Sequence, residues 1–344
     1  VTTQLEQEIA SQPEVIARLL DREGPRAAQI VRQLPPFSYT VIAARGSSDH
    51  AATYAKYAWA ALTGRPVALA TPALHTLYQT PPRFDGALVV GISQSGQSPD
   101  IVAVLEEARR QGRPTLAVSN DGASPLAAAA DFVIELHAGP ERSVAATKTY
   151  TAQVAAMALL AAAWSGRPGL LDELRAVPEA MAATLAGLGP AAARAERYRY
   201  AEQCVLIGRG YNYATAFEIA LKLKELTYTG AIAYSSADFR HGPIATISAG
   251  LPTLLVMPRG AVFDDLLALA RDLAARGAEL LVISDDPAAR ELAALPLPLP
   301  ADLPEWLSPL AAVLPGQVLA LHLTLARGFD PDRPRGLQKV TLTT

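Results

Sequence analysis

Strand-like apolar runs alternate with helical patterns along most of this chain, and the alternation occurs twice. Residues 38–44, 67–70, 87–90, 115–119 and 132–136 read as one set of strands, and 204–208, 232–234, 253–257 and 280–284 as a second set. A shift of about 164 residues relates them. Val41-Ile42-Ala43-Ala44-Arg45-Gly46 matches Val205-Leu206-Ile207-Gly208-Arg209-Gly210, and Ala117-Val118-Ser119-Asn120-Asp121 matches Val282-Ile283-Ser284-Asp285-Asp286. Strands alternating with helices specify an α/β chain with parallel sheets covered by helices. A length of 344 residues fits two domains at ~150 residues each. The pattern therefore predicts a duplicated doubly wound unit: a helical segment 1–27, a first domain 28–165, a linker 166–199, a second domain 200–329 and a tail 330–344. Pro168, Pro178 and Pro190 divide the linker into short helices.

Each matched segment ends in a polar loop at the C-terminal end of a strand, where open α/β sheets bind ligands. In the first copy the loop after the 87–90 run is Ser93-Gln94-Ser95-Gly96-Gln97-Ser98, followed by Pro99. Proline suits the first helical position and Ser98 the cap before it. Hydroxyls and unpaired backbone N–H groups at a helix start form a phosphate site. Arg45-Gly46-Ser47-Ser48 and Arg142-Ser143-Val144-Ala145-Ala146-Thr147-Lys148 are two further loops of this kind, and the three converge by topology around one phosphate monoester. The second copy has Met257-Pro258-Arg259-Gly260 where the serines stood, so the phosphate site belongs to the first. Neither Gly-x-x-x-x-Gly-Lys-Ser/Thr nor Gly-x-Gly-x-x-Gly is present. The ligand these loops suit is a small phosphorylated metabolite. Lys148 either adds charge to the site or is a solvated lysine at a helix start.

The second copy must supply something else. Glu218, Lys222 and Glu225 are spaced i, i+4, i+7 on a helix read over 213–228, so they share a face. The stripe is either an exposed salt-bridged face or, with Ile219, Leu221 and Leu226 beside it, a partly buried one suited to proton transfer. His241, in Asp238-Phe239-Arg240-His241-Gly242-Pro243, is either a solvated loop residue or an acid–base group near neutral pH. Only five of the 30 basic residues are lysine (Lys56, Lys148, Lys222, Lys224 and Lys339). In an arginine-rich chain, positions that keep lysine are candidates for chemistry needing a compact ammonium. The tail from Asp330 to Val340 is rich in proline and charge, and either is disordered or folds over a site.

Composition excludes several classes. Net charge is −3 with no basic tract, which gives no support to nucleic-acid binding. Cys204 is the single cysteine, so an internal disulfide or a thiolate metal cluster cannot form. No signal peptide is expected at the start of the sequence, and no apolar run reaches the ~18 residues that span a bilayer; 152–164 comes closest. A cytoplasmic setting is expected.

These motifs together resemble the isomerase half of glucosamine-6-phosphate synthase and, more broadly, the double sugar-isomerase (SIS) domain proteins. The resemblance runs from Glu8-Ile9-Ala10-Ser11-Gln12-Pro13 through Ser93-Gln94-Ser95-Gly96, Ser143 to Lys148, Ala220-Leu221-Lys222-Leu223-Lys224-Glu225 and His241-Gly242-Pro243 to the tail. It implies two tandem αβα sandwiches, each a parallel flavodoxin-like sheet flanked by helices. Gly46, Ser47, Ser48, Ser93, Gln94, Ser95, Ser98 and Thr147 would form the sugar-phosphate cradle, with Val144 and Ala145 lining the sugar. Glu225 would move a proton between C1 and C2, with Lys222 near the open-chain sugar. His241 would open the ring from across a homodimer, and Lys339 would form an imine with the ketose. No cofactor or metal is implied.

Departures from the synthase pattern shape the expectation. The synthase carries a glutaminase with a terminal cysteine nucleophile, absent from this sequence. Arg45 stands for its cysteine, Ile219 for a glycine, and Thr344 for its terminal glutamate. These features resemble stand-alone members, and the expected reaction interconverts glucosamine 6-phosphate with fructose 6-phosphate and ammonia. A fructosamine-6-phosphate deglycase, a galactosamine-6-phosphate deaminase and a non-catalytic sugar-phosphate-binding regulator are the alternatives.

Overall fold

A computed structural model describes residues 2–339. The chain divides into two compact units. The first-sheet unit comprises Glu14–Glu141, Lys148–Arg175 and the tail from Gln338. The second-sheet unit comprises the residues up to Pro13, Arg142–Thr147 and Ala176–Leu337.

The first unit holds β1 (Tyr39–Ala43), β2 (Val67–Leu69), β3 (Ala87–Ile92), β4 (Thr115–Ser119) and β5 (Phe132–Glu135). All pair in parallel in the order β2-β1-β3-β4-β5, a doubly wound arrangement. β3 and β4 are buried along their whole length, which is why they read as unbroken apolar runs. Val89, Val104, Leu105 and Leu126 share one core cluster. A Cβ on Gly91 would come within 2.8 Å of Leu126 and 2.9 Å of Leu105, so this glycine lets those side chains close onto the sheet. Across the unit, helix Lys148–Ser165 is buried through Ala162, and the Trp59 indole donates to the Met157 carbonyl at 2.8 Å. Its apolar run is thus core.

The second unit repeats the plan. β6 (Gln203–Gly208), β7 (Gly230–Ser235), β8 (Pro252–Val256), β9 (Glu279–Ser284) and β10 (Leu295–Pro298) are parallel in the order β7-β6-β8-β9-β10, the same permutation as the first sheet. β10 escaped the sequence reading because prolines occupy two of its four positions; proline is tolerated there because the strand lies at the sheet edge. The segment 166–199 forms short helices, Leu170–Arg175, Val177–Ala186 and Gly189–Arg194, the last two with proline in the first turn.

One expectation about apolar length is corrected. Helix Glu305–Ala326, 22 residues, is long and apolar enough to cross a membrane. Pro309, Pro315, Gln317 and His322 disguise it in sequence. Most of it is buried, and Asn212 Nδ2 donates to Ser308 Oγ at 2.7 Å and Gln12 Nε2 to Gln317 Oε1 at 2.7 Å.

Candidate active site

In the first sheet the winding direction reverses between β1 and β3, so the loops after these strands flank the crevice where doubly wound folds bind ligands. The loop after β1 turns at Gly46, whose φ of 56° suits glycine, and helix Ser47–Thr63 begins at once. Ser48 is buried, and Ser47 is half-buried. In the loop after β3, Ser93 Oγ accepts the Gly96 N–H at 3.1 Å and Ser95 Oγ the Gln97 N–H at 3.2 Å. The loop is stapled from behind: Asn120 N donates to the Gln94 carbonyl and Leu126 N to the Gly96 carbonyl, both at 3.1 Å. Gly96 has φ 63°, and a Cβ there would lie 2.1 Å from Ser124 Oγ.

The Ser98 cap differs from expectation. Ser98 occupies the N-cap position before Pro99, but its hydroxyl makes no capping bond and is half-buried. A serine whose hydroxyl is not committed to its own helix leaves that donor for a ligand. Asp100, fully buried, stands behind it and accepts the Ile101 N–H at 2.9 Å. Its other oxygen takes Arg45 Nε at 2.8 Å, which ties the two loops together. Burial raises the Asp49 carboxyl above the ordinary value, against the pull of His50 and Arg45.

The second unit keeps the tie and changes the loop. Arg209, the repeat partner of Arg45, places Nη1 3.0 Å from Asp265 Oδ2 at the start of helix Phe263–Ala275. Burial alone would raise the Asp265 carboxyl, but the Ser236 hydroxyl, Arg240 and Arg209 outweigh it and hold it below 3.8. Where the first copy has its serines, Ala261 N donates to Glu305 Oε2 at 2.8 Å, and a Cβ on Gly260 would meet Glu305 Cδ at 2.2 Å. In the second copy an internal carboxylate occupies this loop.

Helix Tyr213–Thr227 carries the row of charges, and the row is buried. Glu218 and Lys222 are 0% and 1% exposed; Glu225 alone reaches the surface, its side chain 23% exposed. Lys222 Nζ lies 2.6 Å from Glu225 Oε2 and 3.4 Å from Glu218 Oε1. Of the two sequence readings, the exposed salt-bridged face is the one that fails. The helix can sink because Ile219 seats against Gly316, where a Cβ would meet it at 2.3 Å. Tyr228 ends the helix with φ 58°.

His241 is exposed and follows the short helix Ser236–Arg240. In the 142–147 loop Val144 is half-buried, while Ala145 and Thr147 are buried. The buried Glu8 carboxylate fixes this loop by accepting the N–H groups of Arg142 at 2.5 Å and Ser143 at 3.2 Å. Ser143 Oγ is buried without a hydrogen-bond partner among the described residues. Lys148 is buried, with Nζ donating to the Pro140 carbonyl at 2.8 Å, so it is not a solvated helix-start lysine.

The first-sheet unit thus holds Gly46, Ser47, Ser48, Ser93, Gln94, Ser95, Ser98 and Lys339. The second-sheet unit holds Val144, Ala145, Thr147, Lys222, Glu225 and His241. Sequence reasoning missed Asp100, Glu141 and Glu305 as organising residues. The first could have been found from its place in the first turn of a helix that opens at a serine loop. The other two carry no local signal.

The SIS domain family matches residues 40–163 and 198–325. The chain is 34% identical over 342 residues to glutamine–fructose-6-phosphate aminotransferase (isomerizing) of Thermococcus kodakarensis, covering 96% of this chain and 56% of that protein. It therefore spans little more than half the length of such relatives. A candidate phosphosugar isomerase from Silicibacter pomeroyi has a similar structure, with 35% identity, TM-score 0.85, and coverage of 96% of this chain and all of the other. The C-terminal domain of glucosamine-fructose-6-phosphate aminotransferase from Francisella tularensis superposes with TM-score 0.88 at 27% identity, covering 97% and 98%. With both sheets wound alike and both matched, the chain belongs to the SIS domain family.

Proposed function

We propose that this protein is an aldose–ketose isomerase of amino-sugar phosphates, interconverting glucosamine 6-phosphate with fructose 6-phosphate and ammonia. The observation that carries the reading is Glu225, a carboxylate at the surface end of an otherwise buried charged row. A general base needs access to its substrate and a fixed direction of approach, and Lys222 supplies the second.

Ser47, Ser48, Ser93, Gln94, Ser95, Ser98 and Thr147, with backbone N–H groups, hold the phosphate, and Val144 and Ala145 line the sugar. This remote binding orients the reacting carbons. His241, contributed across a homodimer, moves a proton from the anomeric hydroxyl to the ring oxygen and opens the ring. Its exposure supports that role. Glu225 takes the proton from C2 and returns it at C1. The amine-bearing C2 becomes an imine, and water hydrolyses it to the ketone and ammonia. Lys339 engages the ketose in the reverse direction.

The test follows ammonia and fructose 6-phosphate together from glucosamine 6-phosphate; equal amounts are expected. Replacing Glu225 with Gln should lower turnover by about 100-fold or more while sugar-phosphate binding persists. Unchanged turnover refutes the assignment. Stabilisation by the sugar phosphate with neither product formed refutes the substrate and turns attention to fructosamine phosphates.

A further inference from the structure

The most deeply buried carboxylate near the tail belongs to a residue with no role so far. Glu141 has a side chain of 0% exposure, and its oxygens are fixed from two directions. Thr149 donates its N–H to Oε1 at 3.1 Å and its hydroxyl to Oε2 at 2.7 Å. Thr149 lies in the first turn of helix Lys148–Ser165, whose N-terminal dipole favours an anion. The third contact is Lys339, with Nζ 2.6 Å from Oε2. The two ends of this pair differ in rigidity. Glu141 is locked to a core helix, whereas Lys339 sits on a tail segment with no regular structure and a side chain 24% exposed. The carboxylate therefore decides where the ammonium stands. Of the cations nearby in sequence, Lys148 is turned to the Pro140 carbonyl and Arg142 is exposed.

We infer that Glu141 both positions Lys339 and holds its proton during imine formation with a ketose phosphate. This rests on the reading of Lys339 as the imine-forming lysine. Lys339 must lose a proton before its nitrogen can attack, and Glu141 Oε2 is in place to take it. The neutral amine adds to the C2 carbonyl to give a carbinolamine. Glu141 then gives the proton back as water leaves and the C=N bond forms. The net change is one ammonium and one carbonyl converted to one protonated imine and one water, with Glu141 again a carboxylate. The hydrogen bonds from Thr149 offset part of the desolvation of this carboxylate, and the Lys339 ammonium offsets more of it.

The test uses the whole chain with borohydride trapping of fructose 6-phosphate, the adduct being located by peptide mass. Wild type should be trapped at Lys339. Glu141→Gln keeps the shape and the Thr149 hydroxyl bond, and should trap about 100-fold more slowly with the sugar-phosphate Kd unchanged. Glu141→Asp, which keeps the charge, should recover part of the rate; a general packing defect would not be rescued in this way. Equal trapping rates in wild type and Glu141→Gln overturn the inference and leave the Lys339 reading intact. Trypsin cleavage after Lys339 provides a readout independent of substrate. Glu141→Gln should speed it severalfold without changing cleavage after the exposed Arg83. If wild type is never trapped, the imine reading fails, and the proton-holding role with it; unchanged cleavage would then remove the positioning role as well.

Discussion

Lys222 offers a sharp test of how the second unit tolerates its buried charges. Its ammonium is 1% exposed and stands between Glu218, fully buried, and Glu225. Lys222→Met keeps the length of the side chain and removes the charge. Glu218 then keeps its charge in the interior with the Lys222 ammonium gone, a change that costs about 3–5 kcal/mol. For a domain of this size each 1 kcal/mol moves the midpoint by about 2–4 °C, so the melting temperature should fall by roughly 6–20 °C. Lys222→Met/Glu218→Gln removes the stranded charge as well and should recover most of that loss, because a buried pair replaced whole is often near neutral. Urea titrations of wild type, both single variants and the double variant give the coupling directly. The reasoning is refuted if Lys222→Met is as stable as wild type, or if the double variant is no more stable than Lys222→Met. Either result would mean that the row is solvated in a way its burial does not suggest.

Two further outcomes follow from the same kind of argument. Gly96→Ala forces an L-residue to φ 63° with its Cβ 2.1 Å from Ser124 Oγ. Left-handed strain of about 1–2 kcal/mol plus overpacking of about 1–3 kcal/mol should displace the serine loop and weaken sugar-phosphate binding about tenfold or more in calorimetric titration; an unchanged Kd contradicts the cradle. Burial pushes the Cys204 thiol up to about 12 from 9.0. Because the folded state keeps a proton that the unfolded state sheds, stability is intact below pH 9 and falls as pH rises toward 12. Tyr198, raised by burial to about 12 from 10.0, adds to the fall above pH 10. Urea midpoints between pH 8 and 11 should show this loss, and Cys204→Ala should reduce it.

Much of this molecule is written locally. Strand periodicity and the serine loop after β3 each lie in a short window, and nine of the ten strands among the described residues follow from the periodicity, whereas β10 with its two prolines does not. What remained hidden depends on partners distant in sequence. Arg45 and Asp100 meet only because β1 and β3 are neighbours, and Lys339 finds Glu141 nearly two hundred residues away. The charged row on helix Tyr213–Thr227 has an amphipathic spacing that suits an exposed face equally well. Its burial depends on Gly316, which makes room for Ile219 on a different helix. Ser98 illustrates the opposite error: the residue type and position suit a cap, yet the hydroxyl is left uncommitted. Local rules describe what a side chain is able to do, and here the fold held one donor back.

Glu305 carries a consequence for how a duplicated protein divides labour. Two copies of one architecture begin with two equivalent loops, each leading into a helix start that can take an anion. In the second copy the Glu305 carboxylate lodges against Ala261 N and Gly260, so that loop already carries an anion of its own. The occupant is covalently part of the protein, so no concentration of free ligand competes it away easily. A loop that holds its own glutamate needs no anion from solution to satisfy its backbone donor.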